Sequence, residues 1–360
     1  MFNLLKLHSN AFGLDFSDSS IKIIKLNKKG KNFGLSCFKD FALEQGIIEN
    51  GEIKDEATLI NSIKNSISKV KGQPLKTKYV ISSLPEEKAF LNVIQMPILK
   101  EQELASAIKY EAENHIPLSI KDVYLDFANI EPIHNHLDHL DVLIVGCPKK
   151  IVDSYVKVLK QADLKPIALE IESHAITRAL IKNEISPFPI LIIDIGANKT
   201  SFIIFSGHSI RFTSSIPISS QTFTRAISKT LKIKMNEAET IKIKHGLSKR
   251  KKDVFYSIVP VLTDLSEQIE KYIDYYISHK ENEHLPPNGM HIQKVLLCGD
   301  GANLKGLSKF LSERLKMPVE LGNPWINILP DPLKEVPEIS FKNSLKYTTA
   351  LGLALRGAKK

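Results

Sequence analysis

The chain has 360 residues, which suits two lobes of about 150–200 residues each, and its 43% hydrophobic and 25% charged residues are those of a soluble globular protein with a sizeable core. No apolar run approaches the ~18–20 residues that cross a bilayer, and MFNLLKLHSN lacks the length and apolar centre of a secretory signal, so a cytoplasmic protein with no transmembrane segment of its own is expected. The net charge of +9 comes mainly from lysines spread along the whole chain, which reads as solvated surface and does not point to a nucleic-acid partner.

In chain order, FGLDFSDSSIKIIKL at 12–26 reads as a strand ending at Asp15, a short polar turn and a second strand. Cys37, Cys147 and Cys298 are scattered without C-x-x-C spacing, the pattern of reduced thiols, and the last two end apolar runs as small core residues. Ile60, Ile63, Ile67 and Val70 share one helix face, and Leu104, Ile108, Ala112 and Ile116 mark another helix that Pro117 stops. Residues 129–141 read as a loop, where His134, His136 and His139 match no standard metal spacing. Val152, Tyr155, Val156 and Leu159 form a third helical stripe.

The first motif then returns: LIIDIGANKTSFIIF at 191–205 has a strand ending at Asp194, a polar turn and an isoleucine-rich strand. Two copies half a chain apart predict two related lobes. Asn236 with Glu239 reads as a capping box for a helix through about residue 245. Lys249–Lys252 reads as an exposed loop, with no aromatics interleaved as a single-strand platform needs. Ile258, Leu262, Leu265, Ile269, Tyr272 and Tyr276 form the longest stripe, with Pro260 near its start or kinking it. Residues 279–289 read as a second loop. KVLLCGDGANLKGL at 294–307 reads as a strand, a glycine turn and a helix carrying Leu307, Phe310, Leu311 and Leu315. Trp325, after Asn323-Pro324, reads as a partly buried loop anchor. Strands alternating with helices, and hairpins supplying antiparallel pairs, predict an α/β fold with mixed sheets.

A phosphate-binding hairpin needs inward-pointing N–H groups and small side chains. Gly196, Asn198 and Thr200 after Asp194 meet that need, and Ser17, Ser19 and Ser20 after Asp15 add hydroxyls. Asp15 and Asp194 together could hold a hydrated Mg²⁺, an ion that keeps its waters and prefers carboxylate oxygen. Lys22 meets a phosphate or points to solvent, and strand alternation does not decide which. Gly299, Gly301 and Ala302 would let backbone pass close to a base or ribose. Each hairpin alone is equally an ordinary tight turn, for which Asp, Ser, Asn and Gly are favoured. Neither a G-x-G-x-x-G nor a Walker A pattern occurs.

The order of two aspartate hairpins and a late glycine turn resembles the actin, Hsp70 and sugar-kinase superfamily. Within it the chain is similar to the PilM branch, close to the cell-division protein FtsA. FGLDFSDSSIKIIKL resembles that family's first phosphate loop, EQELASAIKYEAENHIPLSIKDVYLDF its inserted subdomain, IVDSYVKVLKQADLKPIALEIESHAITRAL its interlobe connection and LKYTTALGLALRG its closing helix. Two positions depart: Ser17 stands where the family usually has glycine, and Asp300 replaces a small residue in the glycine turn.

The resemblance implies an actin-like (ribonuclease H-like) duplicated two-lobe fold with mixed five-stranded-type sheets. The first lobe's larger subdomain takes 1–84 and 148–190, the latter including the interlobe connection, and a small inserted subdomain takes 85–147. The second lobe's larger subdomain takes 191–220 and 291–343, its smaller one 221–290, and the closing helix 344–360. ATP with Mg²⁺ is implied between the lobes, with at most weak hydrolysis, for which Glu172 would orient water. A PilN-like single-pass membrane protein is the implied partner, its N-terminal peptide entering a groove whose wall includes Ile108, Glu111, Ile116 and Pro117. Self-association and a peripheral place on the inner face of the cytoplasmic membrane are further implications. Three readings compete: an FtsA-like division protein, disfavoured because no amphipathic tail follows Ala358-Lys359-Lys360; a small-molecule kinase; and a scaffold that has lost nucleotide binding.

Overall fold

The computed structural model describes residues 10–99, 101–131, 139–278, 291–330 and 336–359. The loop expected at 279–289 and His134 and His136 lie outside them. Strands β1 (Phe12–Ser17), β2 (Ser20–Lys29) and β3 (Asn32–Ala42) form an antiparallel meander. A small clip of β4 (Ile48–Glu49) and β5 (Glu52–Ile53) leads to α1 (Glu56–Ser68), and the short β6 (Lys71–Gly72) pairs with β3. Strand β7 (Tyr79–Leu84) runs parallel to β1. Next come β8 (Phe90–Pro97), α2 (Glu101–His115), β9 (Val123–Asn129) and β10 (His139–Pro148), whose strands make a separate sheet in the order β8-β10-β9. After α3 (Lys149–Gln161), β11 (Lys165–Ile171) completes the first large sheet, β11-β7-β1-β2-β3-β6.

The second half repeats the plan. Helix α4 (Glu172–Leu180) leads to the meander β12 (Ser186–Ile195), β13 (Thr200–Gly207) and β14 (Ser209–Ile216). Helices α5 (Ser220–Leu231), α6 (Met235–His245) and α7 (Lys252–Ser278) follow, then β15 (Lys294–Cys298), α8 (Leu307–Leu315) and β16 (Val319–Leu321). The sheet order is β14-β13-β12-β15-β16, with β15 parallel to β12 and β16 parallel to β15. The chain ends with α9 (Phe341–Ser344) and α10 (Thr348–Lys359). The expected pair of mixed five-stranded sheets is present; the first carries β6 as a two-residue sixth strand.

Strand alternation decides which way each aspartate faces. In β1, Phe12, Leu14 and Phe16 sit in the first lobe's core with α1 and α3, so Gly13 and Asp15 face the opposite side. In β12, Leu191, Ile193 and Ile195 sit in the second lobe's core with α5, α7 and α8, so Ile192 and Asp194 face away from it. Both strands are apolar on two faces because both faces are covered.

Several local expectations differ from the structure. Val70 lies past the end of α1, which closes at Lys69. The buried face of α3 is Ile151, Tyr155, Val158 and Leu159, one position off the expected stripe, with Val156 half-buried. Asn236 caps nothing: α6 begins at Met235, and Glu239 instead pairs with Lys242 at 2.8 Å. A capping box does occur, at Ser219 and Thr222 opening α5. Of the two places open to Pro260, the structure has it inside α7, eight residues past the start. An interior proline costs about 3 kcal/mol, and burial of Val254, Ile258, Leu262, Leu265 and Ile269 outweighs it.

Two of the four residues expected in the partner wall are interior in this structure. Ile108 and Ile116 are buried with Leu104 and Ala112 against Ile94, Val123, Val142 and Ile144, so they form the small sheet's own core. Of the other two, Glu111 pairs with His115 at 3.4 Å and Pro117 is exposed.

The lobes exchange helices. Helix α4 places Ile176 and Leu180 against Ile192, Ile203 and Cys298 of the second sheet, while α10 places Ala350, Leu351 and Ala354 against Ile24 and Leu26 of the first. Where α4 and α10 meet, a Cβ on Gly352 would stand 1.8 Å from the Ala175 carbonyl oxygen. Glu170 of β11 ties the crossing down, accepting from Arg178 of α4 at 3.1 Å and from Arg356 of α10 at 2.5 Å. Gly352→Ala is therefore expected to lower stability by about 2–3 kcal/mol, read as a reduced urea midpoint at unchanged slope.

Candidate functional site

The mouths of the two hairpins face one cavity of about 260 Å³ between the lobes. Asp15, Ser17, Ser19 and Lys22 line it from the first lobe, and Asp194, Gly196, Asn198 and Lys199 from the second. Glu87 after β7, Glu172 at the start of α4, Gly299 and Asp300 after β15, and Lys346 before α10 complete its polar walls. Each strand runs slightly past its aspartate, β1 to Ser17 and β12 to Ile195. The first turn is only Asp18-Ser19, while the second spans 196–199.

Burial raises the acids of this cavity. Asp15 accepts from Ser83 Oγ at 2.9 Å, and burial lifts its carboxyl above the usual range against the pull of Lys22. Asp194 is pushed up to about 6, again by burial, with Lys199 opposing and Asp15 reinforcing. Lys22 answers the open question of its direction: it is buried, lines the cavity and donates to Ser20 Oγ at 2.6 Å. Burial presses its ammonium down, but Asp300 and Asp15 hold it above the usual lysine value. Asp300 thus supplies part of the counter-charge for Lys22.

Gly299 has φ +84°, and a Cβ there would meet Asp194 Oδ1 at 2.3 Å, so glycine lets the carboxylate lie against the turn. Cys298 Sγ donates to the same oxygen at 3.7 Å. Ser17 spends its hydroxyl on its own turn: Oγ accepts from the Ser20 N–H at 3.0 Å and donates to the Ser20 carbonyl at 3.2 Å. The Asp18 carboxylate accepts from the N–H groups of Asn50 and Gly51 at 2.9 and 3.1 Å, pinning the β4–β5 clip beside the opening.

Four expected residues stand behind the lining. Ser20 supports Lys22 and Ser17. Thr200 is fully buried, and its Oγ1 has no hydrogen-bond partner among the described residues. Gly301 packs on Ile195, whose Cγ2 would be 2.3 Å from an added Cβ, and Ala302 is buried in the second lobe's core. Their small size serves packing in this structure. No group of three or more His, Cys, Asp and Glu side chains with metal-binding geometry occurs among the described residues. His139 lies 3.5 Å from Asp141, which Arg211 also approaches at 3.5 Å.

Sequence reasoning missed the residues around Glu172. Lys199 Nζ donates to Glu172 at 2.8 Å and also to Glu87. Glu86, fully buried, accepts from the Ser173 N–H at 2.9 Å at the start of α4, and the Glu86 N–H donates to Glu172 at 3.4 Å. A signal was present: Ser82-Ser83 inside an apolar strand, followed by Pro85-Glu86-Glu87, places polar groups at a strand end as the two aspartates are placed.

Together, two sheets of equivalent order, exchanged helices and facing hairpins define an actin-like two-lobe α/β protein. The chain belongs to the type IV pilus assembly protein PilM family, whose model matches residues 13–358. Among solved structures, a PilM–PilN type IV pilus biogenesis complex superposes with a TM-score of 0.79 at 25% identity, covering 98% of this chain and 99% of that one. MreB5 of Spiroplasma citri bound to ADP shares the fold, with a TM-score of 0.54 at 13% identity over 95% and 94% of the two chains. The cell division protein FtsA of Neisseria meningitidis serogroup B is 22% identical over 283 residues, 72% of this chain and 66% of FtsA, so the chain spans less than two thirds of that relative.

Glu172 provides a pH test. Burial raises its carboxyl above the usual range, with Lys199 opposing the rise. A carboxyl raised on folding is harder to ionise in the folded chain, so the stability this group contributes is fully present below the ordinary carboxylate value of 4.5 and falls as pH rises through its raised folded value. Glu172→Gln is expected to flatten that decline, measured by urea unfolding across the same window.

Proposed function

We propose that this chain is a cytoplasmic ATP-binding scaffold of a type IV pilus assembly platform, or of a related type II secretion or competence machine. The pair Asp15 and Asp194 carries the reading, because equivalent strands of two sheets aim them into one cavity. Six acids line that cavity (Asp15, Asp18, Glu87, Glu172, Asp194, Asp300) against three lysines (Lys22, Lys199, Lys346), so acidic groups outnumber basic ones. Such a lining disfavours a bare triphosphate, and a bound Mg²⁺ would lower that repulsion. Asp15 and Asp194 would hold the ion through its waters, Lys22 and the turn at 196–199 would face the phosphates, and Gly299 the ribose or base. Bound Mg²⁺ supplies charge neutralisation for the phosphates.

ADP bound to MreB5, which has this fold, supports the same choice of ligand. Glu172 would orient water, but it is already engaged by Lys199, so hydrolysis is expected to be slow at most.

The PilM–PilN complex supports a PilN-like membrane protein as partner and hence a peripheral place on the inner membrane face. No helix among the described residues is long and apolar enough to cross a membrane. We place the partner's N-terminal peptide at the seam between the small sheet and the first lobe. The hollow there is lined by Tyr124, Phe127, Val152, Leu169 and His174, and the outer edge of β9 pairs with no strand among the described residues. An extended peptide can add to such an edge while its side chains fill the apolar hollow.

Calorimetric titration is expected to show Mg-ATP binding to the parent chain, loss of at least about tenfold in affinity for Asp194→Asn, and no binding with excess chelator. No heat from the parent chain would sink the nucleotide reading in favour of a scaffold that has lost nucleotide. Tyr124→Ala with Phe127→Ala is expected to weaken binding of a labelled PilN-like N-terminal peptide by about tenfold or more while Mg-ATP affinity stays unchanged, measured by anisotropy and calorimetry.

A further inference from the structure

Lys199 occupies an unusual position for a residue of the second hairpin turn. Its backbone belongs to the second lobe, between β12 and β13, while its ammonium lies on two carboxylates carried by the first lobe's chain, Glu87 after β7 and Glu172 where β11 passes into α4. Glu172 is buried and Lys199 half-buried, while Glu87 stands at the opening, so water screens the pairing with Glu172 least. The acceptors are themselves held: the Glu86 N–H donates to Glu172, and Glu86 accepts from the Ser173 N–H. The ammonium also acts on Asp15, Glu86 and Asp194 from where it stands. Another ion pair between the second lobe and the small sheet, Arg211 with Asp141 at 3.5 Å, lies outside the cavity lining.

We infer that Lys199 is an anion-released tether: it ties the second hairpin to Glu87 and Glu172 of the first lobe, and a phosphate group entering the cavity draws it off those carboxylates. The inference deepens the proposed function, resting on it for the identity of the anion but not for the tether. Phosphate oxygens are competing acceptors for the same ammonium, and all line one cavity. Recruiting Lys199 would free Glu172, the residue otherwise placed to orient water, and would loosen the hairpin's hold on the first lobe. A phosphoanhydride chain long enough to reach Lys199 would do both, and a shorter one neither. The residue thereby becomes the element that reads phosphate number.

The tether and the release make opposite-signed predictions. Removing a competing carboxylate with Glu87→Gln should tighten Mg-ATP binding by about two- to fivefold, the weight of one partly exposed charge pair. The same change made in a Lys199→Met background should do nothing, since no ammonium remains to be contested. In the ligand-free full chain, Lys199→Met should speed hydrogen exchange in the segments around 86–89 and 196–200 by at least about threefold. Titration of Mg-ATP and Mg-ADP into the parent, the two single variants and the double variant gives the cycle. Mg-ADP affinity should respond to Glu87→Gln less than Mg-ATP affinity does.

Tighter Mg-ATP binding in Glu87→Gln that vanishes in the double variant supports the proposal. Binding that Glu87→Gln weakens or leaves unchanged, or ligand-free exchange that Lys199→Met leaves unchanged, overturns it. A parent chain silent to Mg-ATP would overturn the nucleotide reading, and faster ligand-free exchange in Lys199→Met would then still support the tether. Should Lys199→Met fail to fold, the sign of the Glu87→Gln effect decides alone.

Discussion

The contact between α4 and α10 is the constraint from which the site follows. Each helix comes from one lobe's end of the chain and lies on the other lobe's sheet, and they touch where Gly352 meets the Ala175 backbone. Only a residue without Cβ allows that approach, and the approach brings the two sheets close enough for their hairpin mouths to share one cavity. Glu170, nearly fully buried, is neutralised there by Arg178 and Arg356. A carboxylate at such a position is tolerated because two guanidiniums answer it.

Within the frame the cavity concentrates charge that burial makes costly. Asp15, Asp194 and Glu172 are all raised by desolvation, and the lysines that offset them come from both lobes, Lys22 from the first and Lys199 from the second. The interior is therefore poised for a cationic ligand or a cation-complexed anion rather than for an apolar molecule. Asp300, which departs from the family's small residue, is part of this balance through Lys22. Ser17, the other departure, closes its own turn with its hydroxyl.

The duplicated hairpins, the late glycine turn and the helical stripes were legible because each is a short-range pattern: a short apolar run ending at an aspartate in Phe12–Asp15 and Leu191–Asp194, period three to four in Ile258–Tyr276. Errors arose where packing overrode local preference. Asn236 was read as a cap from spacing alone, yet Glu239 is engaged by Lys242 and Thr224. For Pro260 both a helix start and a helix interior were open, and the interior holds because that helix's apolar face fills the second lobe's core. Ile108 and Ile116 suited a groove wall or an interior equally, since a helical stripe does not say what lies against it; the small sheet does.

The sequence by itself determined the α/β class, the two related lobes and the aspartates at the hairpin mouths, because strand period and turn chemistry are encoded within a few neighbouring residues. Only the tertiary structure decided that Asp15 and Asp194 face the same space, that Lys22 turns inward, and that Lys199 of one lobe rests on Glu87 and Glu172 of the other. Those outcomes join residues up to about half a chain apart, and long-range contact is set by how the sheets and exchanged helices pack, which no local pattern records.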